Sequence, residues 1–304
     1  MKNFLLKVVL FFILVAVLDL ICGWSFDLLR AKARGGQTHK NEYISNLCKD
    51  EILILGSSKA DHHYVPRVFE DSLGLSCYNA GEMGCGIIPA YVRYKLVSER
   101  KKPKLVLYEL TPGYDYLQDD GYSAYLGVIR QYADNMIVRE VYTDFSDELE
   151  RLRLMSSMYR NNSKLLINLK DIMAQPDVNN GYEPLYGEMG EPKKSGVKPA
   201  ESKVQIDPLK WRYMVKLVEE TKADNVPIIF MISPTIGGVL SSAYDPFIQY
   251  CKNNDVQLIN NILCEGITGR PVLFQDGFHL NHNGAVLYSQ IIVKQVNELI
   301  SNGQ

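Results

Sequence analysis

Glu51-Ile52-Leu53-Ile54-Leu55-Gly56-Ser57-Ser58-Lys59-Ala60 is the stretch whose reading decides the fold. An aliphatic run ends in a glycine and two hydroxyls, the pattern of a buried parallel strand that delivers side chains to the carboxyl edge of a sheet. Open α/β sheets place ligands and chemistry at that edge. Gly56 permits a tight exit from the strand, and Ser58 then falls at the mouth of the following helix, near its backbone N–H groups. A serine hydroxyl is a weak nucleophile at neutral pH until a base takes its proton, so the reading of Ser58 depends on a base elsewhere. Asp276-Gly277-Phe278-His279, near the other end of the chain, supplies one. An aspartate three residues before a histidine can orient the imidazole by one nitrogen while the other faces a serine.

Working outward, further strands are expected at Leu75–Tyr78, Lys104–Leu110, Val226–Ile232 and Val256–Ile259. Helical stretches separate most of them. Ile87–Glu99 carries apolar and aromatic residues at helical spacing, Asp207-Pro208 joins an N-cap acid to a first-turn proline, and a closing helix runs from about Gly284 to Ile300. The alternation predicts an α/β fold with a doubly wound parallel five-stranded sheet, helices on both faces. Tyr114–Ile206 breaks the rhythm. Helices are expected around Ser146–Tyr159 and Ser163–Ala174, followed by a polar stretch, Gln175–Ser202, rich in turn formers. A loop of that length reads as a mobile lid over the carboxyl edge that contributes little to the core. Its Tyr182 and Tyr186 can stack on a sugar ring, although packing under the loop is the simpler role.

The first residues carry Lys2 and Lys7, then Val8–Leu18 without a polar side chain. From Phe4 to Trp24 a helix reaches about 30 Å, enough to cross a bilayer core, with Asp19 and Lys7 near its ends. Ala31-Lys32-Ala33 lies too far from the apolar run to be a cleavage site, and Ile21 before Cys22 disfavours lipidation, so an uncleaved signal anchor is expected. The organisation expected is an anchor over residues 1–25, a linker over 26–45, and an α/β domain over 46–304 with an insertion at about 115–206. The flanking bases Arg30, Lys32, Arg34 and Lys40, counted alone, favour a cytoplasmic domain. The net charge of −2, without a basic stripe, argues against a nucleic-acid partner. The six cysteines show no metal-like spacing and read as buried thiols, with Cys251 and Cys264 able to pair if the domain is exported. Neither a metal nor a cofactor is expected. The adjacent side chains of Asp61-His62-His63 diverge on any regular element, and they read as lining the substrate entrance.

Gly56-Ser57-Ser58, Asn79-Ala80-Gly81-Glu82-Met83-Gly84 and Asp276-Gly277-Phe278-His279 resemble blocks one, two and five of the SGNH/GDSL hydrolases. The resemblance covers roughly Ile52 to Ile300. It implies a flavodoxin-like three-layer α/β/α domain with Ser58 as nucleophile, His279 as base and Asp276 orienting it. Ser57 stands where that family usually has an aspartate, and His282, one turn further on, is the rival base. The resemblance also implies an oxyanion hole from the N–H groups of Ser58 and Gly84, with Gly84 preferred to Gly81. The third block departs: Glu109-Leu110-Thr111-Pro112-Gly113-Tyr114-Asp115 has no asparagine. Either Thr111 or Tyr114 substitutes, or two donors suffice. Membrane-anchored relatives that transfer acyl groups tolerate such a change. The expectation is therefore a serine esterase or O-acyltransferase working through an acyl-serine on an acylated envelope carbohydrate or another ester, with its domain outside the cytoplasm. The alternative is a catalytically inactive carbohydrate-binding or envelope-assembly protein on the same fold.

Overall fold

Ile52–Leu55 does become an interior strand of a sheet, buried on both faces. The computed structural model describes residues 1–118, 126–190 and 204–302. In chain order these form α1 (Lys2–Ala31), α2 (Gly36–Glu42), β1 (Ile52–Gly56), α3 (Ser58–His63), α4 (Pro66–Leu73), β2 (Cys77–Asn79), α5 (Ile87–Arg100), β3 (Leu105–Glu109) and α6 (Pro112–Asp115). There follow α7 (Met136–Phe145), α8 (Glu148–Arg153), α9 (Ser157–Arg160), α10 (Leu165–Ile172), α11 (Pro208–Ala223), β4 (Ile228–Ile232), α12 (Asp245–Asn254), β5 (Gln257–Asn260) and α13 (His282–Asn302). The chain divides into two compact units, Met1–Leu47 with Tyr122–Asp177, and Cys48–Gly121 with Val178–Gln304.

The second unit is the α/β domain. Its five strands pair in the order β2-β1-β3-β4-β5, all parallel. Chain direction across the sheet reverses between β1 and β3, the switch point at which such sheets open a crevice beyond their carboxyl ends. β1 and β3 are buried throughout, as runs of aliphatic residues must be when helices cover both faces. One face carries Ile52, Ile54, Leu107 and Met231 against Tyr288, Ile292 and Val296 of α13. Asp207 starts α11 as its residue type foretells, its carboxylate accepting the N–H groups of Leu209 and Lys210 at 2.9 and 3.0 Å.

Residues 178–190 correct an expectation. They form no regular element, yet they are tied into the domain: Asn180 and Leu185 carbonyls accept from Asn79 and His282, and Glu183 and Met189 N–H groups reach Asp61 and Phe274. Tyr182 is buried. This part is packed structure and not a loose lid, because its backbone groups find partners on the domain. The rest of the expected lid, residues 191–202, lies outside the described residues.

The first unit corrects another. The expected linker folds as α2 and a π-helical turn, Tyr43–Leu47, burying Thr38, Lys40, Asn41 and Ile44. Polar residues that read as solvated linker are instead satisfied within the unit: Arg30 donates to Asn161 at 2.9 Å and the Thr38 N–H to Asp171 at 2.8 Å. All six cysteines are free, Cys251 and Cys264 included.

Candidate active site

The turn out of β1 has little freedom. Gly56 adopts φ +137°, a region open in practice to glycine alone. A Cβ there would lie 2.6 Å from the Glu109 carbonyl and 2.9 Å from the Ala60 Cβ. This close passage sets Ser58 as the first residue of α3. Its Oγ lies 2.9 Å from His279 Nε2. On the far side of the ring, His279 Nδ1 lies 2.8 Å from Asp276 Oδ2, while Asp276 Oδ1 accepts the N–H groups of Phe278 and His279 at 2.7 and 2.8 Å. Carboxylate and imidazole are thus held by one turn, as the three-residue spacing implies. With Asp276 accepting at Nδ1, that nitrogen carries the proton and Nε2 is free to take one from Ser58. Burial tends to raise the Asp276 carboxyl, but the His279 ring and the two N–H groups outweigh it and hold it below the ordinary 3.8.

The rival candidates separate cleanly. Ser57 is fully buried and donates to Thr111 Oγ1 at 3.0 Å, a contact that bridges the β1 and β3 exits across the switch point. His282 Nδ1 faces the Tyr182 hydroxyl at 3.1 Å. Gly81 packs against α3, where a Cβ would stand 2.5 Å from that of Ala60. Gly84 has φ +72° and open space where a Cβ would go. Asn79 ties this loop to α3, its amide donating to the Ala60 and Tyr64 carbonyls and its oxygen accepting from Gly81.

Asp61, His62 and His63 do not line an entrance. All three are buried, because the tight turn at Gly56 and the packed segment 178–190 enclose α3. Both histidine rings meet His279 edge-on, with centroids 5.7 and 6.2 Å away. His62 Nδ1 lies 2.7 Å from the Glu183 carbonyl and donates to it. His63 Nε2 accepts the N–H of Leu280, next to His279, at 3.0 Å. Its Nδ1 must then carry the proton, which goes to Ser233 Oγ at 2.9 Å. Ser233 donates in turn to Glu109 at 2.6 Å, and Tyr64 donates to the other Glu109 oxygen.

The network of His63, Ser233 and Glu109 lies beneath the serine–histidine pair and braces the His279 loop. Burial holds His63 well below its ordinary value, reinforced by Lys59, His279 and His62. Burial raises Glu109, against the pull of Lys59 and its donors. Lys59 is buried and, among the described residues, has no hydrogen-bond or ion-pair partner; burial lowers its ammonium while Glu109 acts to restore it. The sequence reading missed Lys59, Glu109 and Ser233. A carboxylate closing the otherwise apolar strand Leu105–Glu109 was the available signal, since a charge at a buried carboxyl edge needs a partner there.

No family model matches the chain, and no curated protein does. Among solved structures, the chain is similar to a GDSL-like lipase from Bacteroides thetaiotaomicron VPI-5482, at 10% identity and TM-score 0.41, covering 87% of this chain and 100% of that one. It is also similar to a protein assigned as an acylhydrolase from Bacteroides fragilis NCTC 9343, at 12% identity and TM-score 0.41, covering 85% of this chain and 94% of that one. A third likeness is to a protein assigned to the G-D-S-L lipolytic family from Desulfitobacterium hafniense DCB-2, at 9% identity and TM-score 0.39, covering 80% of this chain and 98% of that one.

Proposed function

We propose that the α/β unit is a serine esterase that cleaves O-acyl esters through an acyl-Ser58 intermediate. The observation that carries this reading is the aligned chain Ser58 Oγ, His279 Nε2, His279 Nδ1 and Asp276 Oδ2, with separations of 2.9 and 2.8 Å. A binding protein has no use for a serine hydroxyl aimed at an imidazole whose tautomer is fixed by a carboxylate. In the first step Ser58 Oγ attacks the ester carbonyl carbon while His279 Nε2 takes its proton. The oxyanion is met by the N–H groups of Ser58 and Gly84, each worth about 3–4 kcal/mol of barrier. Thr111 takes the third position: its Oγ1 accepts from Ser57 and keeps its own proton to donate. The intermediate collapses as His279 returns the proton to the leaving alkoxide. Water, or a sugar hydroxyl if the enzyme transfers its acyl group, then attacks the acyl-serine with His279 again as base.

An acylated carbohydrate is the substrate class we favour. Phe278, beside the base, and Tyr186, beside His282, are exposed aromatic faces on which a sugar ring can stack. The helix α1 is retained as a single-pass membrane anchor, since Asp19, Gly23 and Arg30 are bonded to or packed against residues 156–161. Removal of a leader would break those contacts. With that substrate class, our reading has the α/β unit outside the cytoplasm.

A membrane-impermeant fluorophosphonate tests both statements. On intact cells it labels the wild-type chain on Ser58; Ser58→Ala and His279→Ala are unlabelled, and Ser57→Ala is labelled. Labelling only after lysis overturns the orientation and leaves the enzyme. Folded wild type that stays unlabelled in the lysate overturns the esterase.

A further inference from the structure

The helix α10 is built inside out. Its buried residues are Asn168 and Asp171, held by Thr38 through Oγ1 to Asn168 at 3.1 Å and N–H to Asp171 at 2.8 Å. Its aliphatic residues Leu165, Leu166 and Leu169 are exposed, Leu166 at 79%, and Met173 just beyond the helix is 87% exposed. A surface helix in water has the opposite polarity, with its apolar stripe against the core. The neighbouring residues Met155 and Met158 are exposed too.

The same segment is fastened to α1. The Asp19 carboxylate accepts from Ser156 Oγ and from the N–H groups of Ser157 and Met158, at 2.6, 2.8 and 2.9 Å. Gly23 allows α9 to come so close that a Cβ would stand 2.6 Å from Ser157 Oγ. Arg30 reaches Asn161. From Asp19 to Arg30 the helix rises about 16 Å, so α9 follows the last turns of the apolar span. Asp19 lies about 7 Å short of Trp24, the outer end of a span that matches the hydrocarbon thickness. Three donors satisfy this carboxylate, which explains how α1 carries a charge at that depth.

We propose that Met155, Met158 and the outward face of α10 are seated in one leaflet of the lipid bilayer, as an interfacial collar around the exit of α1. This rests on the reading of α1 as a retained anchor. The occupant is lipid because the segments that carry this face pack directly against α1, whose own unburied apolar surface only hydrocarbon satisfies, and because Lys164 and Lys170 flank the leucines with the charge that anionic headgroups attract. Five apolar side chains and a lysine pair then hold the unit to the membrane surface in one orientation.

Brominated lipids test it with the full chain. Leu166→Trp replaces a side chain that is 79% exposed, and Leu169→Trp one that is 44% exposed on the same face. Each variant and the wild type are reconstituted into vesicles of phosphatidylcholine and phosphatidylglycerol, with and without bromine on the acyl chains. In wild type the loss of emission in brominated vesicles reports Trp24 on α1. The expected result is that the emission added at 166 or 169 is quenched at least as strongly as that of Trp24. Quenched wild type with unquenched added tryptophans overturns the collar and leaves the anchor standing. Added emission that is blue-shifted but unquenched gives the face to a protein surface, a second copy or a partner, and overturns it as well. Unquenched wild type overturns the anchor and the collar with it.

Discussion

Asp276→Asn isolates what the carboxylate contributes while keeping the fold of its turn. The amide oxygen of the variant can still accept the N–H groups of Phe278 and His279, which Asp276 Oδ1 holds at 2.7 and 2.8 Å. The amide nitrogen then faces His279 Nδ1, where Oδ2 stood at 2.8 Å. Two N–H groups cannot share that position, so the imidazole moves its proton to Nε2 and presents a donor to Ser58 in place of an acceptor. Recovering the productive tautomer sacrifices a neutral hydrogen bond of about 1 kcal/mol, and losing the charge-assisted bond removes about 1.5–3 kcal/mol from the imidazolium formed in the transition state. The Asp276 side chain is 52% exposed, so water shares its role and the lower end applies. A total of roughly 2.5 kcal/mol corresponds to a loss of about seventyfold in rate. Steady-state hydrolysis of p-nitrophenyl acetate by the full chain in detergent measures it. The expected loss lies in kcat, with KM nearly unchanged, because the tautomer matters to proton transfer and not to binding. Activity within about threefold of wild type from pH 6 to 9 would refute the assignment of Asp276 as the group that orients His279.

Two further outcomes follow from the packing beneath the site. Burial keeps His63 neutral in the folded protein, well below its ordinary 6.5. The unfolded chain therefore binds a proton below that pH that the folded one refuses. Stability from neutral His63 is complete above 6.5 and falls by about 1.4 kcal/mol per pH unit below it. Chemical unfolding of wild type and His63→Gln at about pH 7 and 5 should show the wild type losing more, and equal losses count against a neutral His63. Gly56→Ala should cost about 1–3 kcal/mol from backbone strain alone, with more from the 2.6 Å approach to the Glu109 carbonyl, and should abolish fluorophosphonate labelling. Gly74→Ala, at φ +66° with nothing within 4 Å, should lower the thermal midpoint less and leave labelling intact; parity of the two variants removes the argument from close passage.

The α/β fold was legible in the chain because its signals are local. Ile52–Leu55 can only be buried on both faces, Asp207-Pro208 can hardly do other than open a helix, and strand candidates at 104–110 and 226–232 overlap the observed strands closely. The pairing of Asp276 with His279 was legible for the same reason, since three residues span one turn. Other features rest on partners distant in sequence. Ser58 and His279 are 221 residues apart, and only the order of strands across the switch point brings them within hydrogen-bond reach. Asp61, His62 and His63 read as lining an entrance, but the turn at Gly56 and the segment 178–190 close over them. Glu109 and Ser233 gain their meaning only from His63, which reaches them through the fold. For α10 the sequence carries an amphipathic period, but a period does not say which face turns inward. That was decided by Thr38, which draws Asn168 and Asp171 into hydrogen bonds and leaves the leucines facing out.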